Sequence, residues 1–107
     1  MNIAEYTKEV RRTCNLTEQK ELLTLTALGI AGESGEVVDI IKKKLYHAHE
    51  LDVLALGKEI GDLLWYIVLL CDVVGLTLDE VIQMNVEKLR KRYPCGFDEQ
   101  KSLFRQE

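Results

Sequence analysis

The sequence is poor in residues that break helices. It contains a single proline, Pro94, and its seven glycines are scattered without forming a glycine-rich loop. Before Pro94, apolar residues recur at the three- and four-residue spacing of helices and do not alternate as they would in strands. The sequence therefore predicts an all-α chain that lacks a glycine-rich phosphate-binding loop.

Paired cysteines and long hydrophobic runs are also missing. Cys14, Cys71 and Cys95 are widely spaced and odd in number, and no C-x-x-C motif occurs, which indicates free thiols in a reducing compartment. The longest uncharged run, residues 22–32, has 11 residues and, like the 9-residue run at 63–71, is too short to span a bilayer. The first residues lack the apolar segment of a signal peptide. We therefore expect a soluble, cytoplasmic protein without a membrane partner.

Negative charge exceeds positive charge, since the formal net charge is −4, and the basic runs at residues 42–44 and 88–92 are short. Binding to a nucleic-acid backbone requires clustered lysine and arginine, so we expect no nucleic-acid partner. The 107 residues, of which 47% are hydrophobic, suffice for one domain over 1–107 with a real core. A domain of this size buries only about 60–65% of its unfolded surface, which favours oligomerisation.

Four helices are predicted. The first lies at about 3–14, the second runs from a cap at Asn15 or Thr17 to about 46, the third lies at about 51–74, and the fourth runs from Thr77 to Pro94. A short tail follows at 95–107. Thr77 and Glu80 form a capping-box pattern. The third helix is apolar nearly all round between 60 and 74, which predicts burial on most sides. We expect a bundle of four to five short helices, completed by assembly into a homodimer or homotetramer.

Two acidic pairs, Glu33-x-x-Glu36 and Glu59-x-x-Asp62, lie on helical stripes that also carry apolar residues. Acidic pairs at this spacing are ordinary on solvated helix faces, and that is the alternative interpretation. On a core-facing stripe, however, like charges are costly unless something neutralises them. If the second and third helices form an antiparallel hairpin, Glu33 lies level with Asp62 and Glu36 with Glu59, because both pairs share one midpoint in the sequence.

Four converging carboxylates predict a divalent-cation site. An all-oxygen ligand set favours Mg²⁺, for which Mn²⁺ can substitute, and the absence of histidine from these stripes argues against zinc or a di-iron centre. Protein-bound Mg²⁺ commonly pairs with substrate phosphates, so the site indicates hydrolysis of a phosphate ester or anhydride. Gly32 and Gly35 flank the acids, and we expect them to allow close packing of a neighbouring helix, or else to leave room for substrate.

The fourth helix carries Asn85, Lys88 and Arg92 on one stripe. An amide with two cations suits a polyphosphate tail, although a basic helix end that faces solvent is the simpler alternative. Tyr66, one turn after Asp62, is the preferred aromatic partner for a nucleobase, whereas Trp65 fits the core better.

Three motifs together resemble the MazG-like family of all-α nucleoside triphosphate pyrophosphohydrolases. They are E-S-G-E-x-x-D-x-x-K-K from Glu33, K-E-I-G-D-L-L-W-Y from Lys58 and N-V-E-K-L-R-K-R-Y-P from Asn85. The family signature is E-x-x-E followed by E-x-x-D, and here the two pairs are separated by 22 residues. The resemblance covers roughly residues 17–105, and it departs from the family at Cys95, where an acidic residue is common.

The resemblance implies Mg²⁺-dependent hydrolysis of (deoxy)nucleoside triphosphates to the monophosphate and pyrophosphate, in dimers or dimers of dimers that clear surplus or noncanonical nucleotides. One of the acidic residues would orient or deprotonate the attacking water. A non-catalytic nucleotide-binding or oligomeric adaptor protein is the alternative. The residues implied in metal binding and catalysis are Glu33, Glu36, Glu59 and Asp62; those implied along the substrate are Asn85, Lys88, Arg92 and Tyr93, with Ser102 and Arg105 closing over it.

Overall fold

A computed structural model describes residues 1–97, and helices account for most of them. The helices are α1 (Ile3–Thr13), α2 (Gln19–Tyr46), α3 (Val53–Val73) and α4 (Leu78–Arg92), and no β-strand occurs within residues 1–97. The predicted all-α class is therefore confirmed. The chain divides into two compact units, Met1–Gly75 with α1 to α3 and Leu76–Glu107 with α4.

The start of α2 differs from the prediction. Neither Asn15 nor Thr17 caps this helix; the carboxylate of Glu18 does, accepting hydrogen bonds from the backbone N–H groups of Lys20 and Glu21, both at 2.9 Å. A carboxylate with two oxygens satisfies two unpaired amides and also interacts favourably with the positive end of the helix dipole. The preference of N-cap positions for short polar side chains therefore predicted the wrong cap residue for α2.

The boundaries of α4 follow the predicted signals, and α3 begins near its expected start. Asp52 caps α3 by accepting from the N–H of Ala55 at 3.0 Å. Thr77 caps α4 by accepting from the N–H of Glu80 at 3.1 Å, which confirms the predicted capping position. The last helix ends at its predicted place, with Tyr93 as the C-cap residue directly before Pro94.

Helices α2 and α3 form a hairpin, packed against each other and joined by the short loop 47–52. A connection of this length makes neighbouring helices antiparallel. The backbone leaves α2 through Ala48, whose φ of 55° lies in the left-handed region. Thr26, fully buried on α2, donates its hydroxyl hydrogen to the carbonyl of Leu22 at 2.9 Å, so that its polar group is satisfied inside the helix.

Helix α3 is less covered than its sequence predicts. Val68, Leu69 and Cys71 are buried, but they belong to the C-terminal half of the helix. Toward the N-terminal end, Ile60 is 49% exposed and Leu54 is 80% exposed. The hairpin thus presents apolar side chains to solvent in the single chain, a feature typical of interaction surfaces when such side chains are contiguous.

Helix α1 is held against α3 by apolar packing and by an ion pair. Val10 is completely buried, and the Arg11 guanidinium donates two hydrogen bonds to the carboxylate of Asp72, from Nε at 3.0 Å and from an Nη at 2.5 Å. These hydrogen bonds hold the pKa of Asp72 below its usual 3.8, against the opposing effect of partial burial, and the positive charge of Arg11 adds to the lowering.

We expect Asp72→Asn to lower the melting temperature by roughly 1–4 °C at pH 7, because a two-pronged ion pair that is partly exposed contributes modestly. The folded-state pKa of Asp72 is depressed, so its contribution is present above the unfolded-state pKa and is lost as the pH falls through the folded-state value. Thermal melts at pH 7 and at pH 3 measure both effects. Glu9→Gln, which removes the local pair with Arg12 at 2.7 Å, should have the smaller effect; equal effects would contradict the assignment.

Within residues 1–97, no single helix combines the length and hydropathy needed to cross a bilayer, although α3 and α4 taken together pass on length and composition.

Candidate metal centre

The α2–α3 hairpin brings three carboxylates together, one from α2 and two from α3. Glu33, Glu59 and Asp62 each offer an oxygen, and these oxygens lie within 4.8 Å of one another. Glu33 and Glu59 are half-buried and Asp62 is exposed, so the cluster opens to solvent on one side. We call these three residues the carboxylate cluster. Its formation follows from the register that the sequence predicts, in which Glu33 opposes Asp62.

Glu36 does not join the carboxylate cluster, although the predicted register placed it level with Glu59. Its side chain is exposed, and it is absent from the group of oxygens within 4.8 Å. Three residues along a helix advance by about 300°, so Glu36 is turned about 60° from Glu33, away from the hairpin interface. It remains near enough for its negative charge to act on Glu33.

The Glu33 carboxyl group lies among other negative charges, which affect its ionisation. Its pKa is raised, first by a hydrogen bond with the Glu59 carboxylate, then by burial, and then by the negative charges of Glu59, Asp62 and Glu36. Oε2 of Glu33 is buried and has no hydrogen-bond partner within residues 1–97. The raised pKa and the unpartnered oxygen are consistent with each other. Two ionised carboxylates have no proton between them, so the contact of Glu33 with Glu59 is a hydrogen bond only when one of the two is protonated.

The carboxylate cluster fits a hard divalent cation. Its donors are all oxygen, which is the preference of Mg²⁺ and Mn²⁺. An unpartnered buried oxygen on Glu33 is costly unless a proton or a cation satisfies it. No histidine or cysteine belongs to the cluster, so the donor set does not resemble a zinc site.

Tyr66 packs its ring on the backbone of α2 at Gly29. A Cβ built on Gly29 would lie 2.3 Å from both Cδ1 and Cε1 of Tyr66 and 2.5 Å from Cζ. Nearly equal distances to three consecutive ring atoms place that position over the face of the ring, because a position beside the ring edge would leave the third atom much farther away. One face of Tyr66 is therefore occupied, and the predicted contact with a nucleobase is left to its other face and its hydroxyl.

The glycines that flank the acidic pair play no comparable part. Among the described residues, nothing lies within 4 Å of a Cβ built on Gly32 or Gly35. The expectation that these two glycines allow close packing of a neighbouring helix is therefore wrong for this unit, and room beside the acids is the surviving interpretation. The close approach occurs at Gly29 instead, one turn earlier on α2.

Trp65 connects α3 to α1, as its predicted place in the core suggests. Its indole Nε1 donates to Oγ1 of Thr13 at 2.8 Å. Its ring meets that of Tyr66 edge to face, with centroids 5.0 Å apart and planes at 84°. These two contacts tie Trp65 to the packing of α1 against α3.

The charge of Asp62 also acts on Tyr6 of α1, which the sequence did not indicate. Burial raises the pKa of Tyr6, and the negative charge of Asp62 raises it further. No local sequence signal links Tyr6 to a residue on α3. This interaction depends on the way α1 packs, which single-sequence patterns do not specify.

The predicted substrate residues of α4 belong to the second unit, and their proximity to the carboxylate cluster stays a prediction. Asn85 and Lys88 are exposed, whereas Arg92 and Tyr93 are half-buried. The ring of Tyr93 lies 5.6 Å from that of Phe97, centroid to centroid. Ser102 and Arg105 lie outside the described residues.

Comparisons with known proteins agree with the motif pattern. Residues 17–97 match the MazG nucleotide pyrophosphohydrolase domain. The Gene 37 protein of Mycobacterium phage L5 is 32% identical over 80 residues, an alignment that covers 71% of this chain and 70% of the phage protein. No solved structure matches the chain. The domain match contains α2, α3 and α4 entire, and with them the carboxylate cluster, so the chain belongs to the family of MazG nucleotide pyrophosphohydrolase domains.

Proposed function

We propose that the protein hydrolyses (deoxy)nucleoside triphosphates to the nucleoside monophosphate and pyrophosphate, with Mg²⁺ as cofactor, and that it clears surplus or noncanonical nucleotides from the cytoplasm. The domain family acts on nucleotide pyrophosphate bonds, which supports a hydrolase. The observation that carries the proposal is the carboxylate cluster on the α2–α3 hairpin, whose oxygens lie within 4.8 Å of one another.

Glu33, Glu59 and Asp62 would hold the cation, with Glu36 one turn away on α2. A divalent cation bound there neutralises phosphate charge and lowers the pKa of a water molecule. Among the four acids, Glu36 is the least committed to the cluster, since it is not in the group whose oxygens lie within 4.8 Å of one another. We assign to this set of carboxylates both the binding of the cation and the orientation or deprotonation of the attacking water.

The remaining proposed contacts use charge and flat apolar surface. Lys88 and Arg92 carry the positive charge that phosphate oxygens require, and Arg92 adds the forked geometry that allows two parallel hydrogen bonds. Asn85 supplies an amide on the same stripe, and Tyr93 follows at the end of the helix. Tyr66, which rests one face of its ring on Gly29, would offer its hydroxyl and the opposite face to the base.

The exposed apolar side chains of the hairpin support a homodimer or homotetramer. Leu28 on α2 is 69% exposed, and Leu54 and Ile60 on α3 are 80% and 49% exposed. Covering such residues with a second copy buries apolar area that the single chain leaves in water. Light scattering in solution tests the assembly, and a monomeric mass at micromolar concentration would contradict it.

A panel of the eight canonical NTPs and dNTPs separates an enzyme from the alternative, a nucleotide-binding or oligomeric adaptor. Each nucleotide is incubated with the protein and Mg²⁺, and released pyrophosphate is measured beside binding by calorimetry. We expect Mg²⁺-dependent pyrophosphate release from at least one nucleotide, and none in EDTA. Tight binding of a nucleotide without any release across the panel would favour the adaptor.

A further inference from the structure

We propose that Gly29 is a positioning residue whose missing side chain lets the Tyr66 ring set the spacing between α2 and α3 beside the carboxylate cluster. The inference rests on the proposed role of that cluster in holding a divalent cation. It concerns a residue outside both acidic pairs, and its action is indirect, through Tyr66.

The contact itself allows no side chain at position 29. A Cβ there would lie 2.3 Å from two atoms of the Tyr66 ring and 2.5 Å from a third, far inside the usual separation of about 3.5–4.0 Å between carbon atoms. Either the ring or the backbone of α2 must move to admit a methyl group. With glycine, the ring rests directly on the helix backbone and fixes how closely the two helices approach.

The contact of Tyr66 with Gly29 lies close enough to the acidic residues to affect their separation. Gly29 lies four residues before Glu33, and Tyr66 lies four residues after Asp62. Residues four apart share one face of a helix. The ring therefore separates the two helices one turn, or about 6 Å, from the carboxylate cluster. A change in helix spacing there alters the separation of Glu33 from the two acids of α3, because a packed helix does not absorb such a shift within one turn.

A neighbouring side chain restricts the rotation of the Tyr66 ring. Its edge-to-face neighbour Trp65, at a centroid distance of 5.0 Å, is itself held by a 2.8 Å hydrogen bond to Thr13 of α1. A continuous layer thus runs from α2 through α3 to α1, in the order Gly29, Tyr66, Trp65 and Thr13. Thr13 precedes the matched segment 17–97, so a helix outside the family match supports the geometry of the metal centre.

The variant Gly29→Ala tests the inference, and Gly32→Ala is its matched control. Both replace a glycine inside α2 by alanine and so bring the same gain in helix propensity. Nothing among the described residues lies within 4 Å of a Cβ at position 32. The affinity for Mn²⁺ is measured without nucleotide by electron paramagnetic resonance, after circular dichroism has confirmed the helix content. We expect about a tenfold or greater loss for Gly29→Ala and less than a twofold change for Gly32→Ala.

A second background shows whether Tyr66 transmits the effect. In the Tyr66→Leu protein the ring is gone, so adding Gly29→Ala should change the Mn²⁺ affinity less than threefold. If Gly29→Ala alone fails to fold, the double variant should fold and bind Mn²⁺ as Tyr66→Leu does. Near-wild-type affinity for Gly29→Ala, an equal loss for Gly32→Ala, the same loss in both backgrounds, or an unfolded double variant would each overturn the inference.

The nucleotide panel distinguishes a failure of the proposed reaction from a failure of the positioning role of Gly29. A wild-type protein that releases no pyrophosphate, yet shows the expected pattern of Mn²⁺ affinities, defeats the proposed reaction and supports the positioning role of Gly29. A wild-type protein that binds no Mn²⁺ overturns the positioning role as well. Pyrophosphate release with no difference between the two alanine variants supports the reaction alone.

Discussion

Glu33→Gln is expected to lower kcat/KM for nucleotide hydrolysis by about 10²–10³-fold or more, because it removes a charge that the reaction needs at the metal centre. Glu33 is the one acid that α2 contributes to the carboxylate cluster, and its Oε2 is the buried oxygen without a partner. Glutamine keeps the shape of the side chain while removing its negative charge. Asp62→Asn should have a comparable effect from the α3 side. Steady-state kinetics with a saturating range of Mg²⁺ measures both losses.

The control is Glu50→Gln, which removes one carboxylate from the exposed loop between α2 and α3 and should leave kcat/KM within a factor of two. Circular dichroism must show unchanged helix content in all three variants, so that a loss of activity is not a loss of fold. Wild-type activity in either Glu33→Gln or Asp62→Asn would remove the carboxylate cluster from the mechanism.

Thermal stability should respond to Mg²⁺ through the same cluster, and this is the second large effect. In EDTA the three carboxylates repel one another, since like charges this close disfavour ionisation. A ligand that binds only the folded state stabilises it by about 2.7 kcal/mol at a hundred times its dissociation constant, which for a domain of this size shifts the melting temperature by roughly 10–15 °C. Melts of the wild type in EDTA and in rising Mg²⁺, at constant ionic strength, measure the shift.

The variant Glu33→Gln should reverse this pattern. Its melting temperature in EDTA should equal or exceed that of the wild type, because one of the repelling charges is gone, and Mg²⁺ should raise it by no more than a few degrees. Glu50→Gln should follow the wild type in both buffers. An undiminished Mg²⁺ shift in Glu33→Gln would place the cation elsewhere on the protein.

The register of the α2–α3 hairpin was predictable from the sequence because two rigid helices joined by a short loop leave little freedom. A rise of about 1.5 Å per residue and a common midpoint suffice to place Glu33 opposite Asp62. The ends of α4 were equally predictable, since Thr77 caps through its own side chain and Pro94 stops the helix by sterics. Both signals act within a few residues of the chain.

Contacts that depend on which helix faces meet were not predictable in this way. The hydrogen bond from Trp65 to Thr13 joins residues 52 apart, and no spacing rule connects them. No spacing rule connects Tyr66 with Gly29 either. The close helix packing expected at Gly32 and Gly35 occurs at Gly29 instead. The sideways turn of Glu36 likewise depends on the angle at which the hairpin packs, which the hydrophobic pattern defines only coarsely.

The identity of the reaction products tests the central claim most directly. One nucleoside triphosphate that is turned over is incubated with the wild-type protein, with Mg²⁺ and separately with EDTA, and the products are separated by chromatography. Hydrolysis at the carboxylate cluster predicts nucleoside monophosphate and pyrophosphate in equal amounts, and no products in EDTA. Nucleoside diphosphate with inorganic phosphate, or turnover that persists in EDTA, would contradict it.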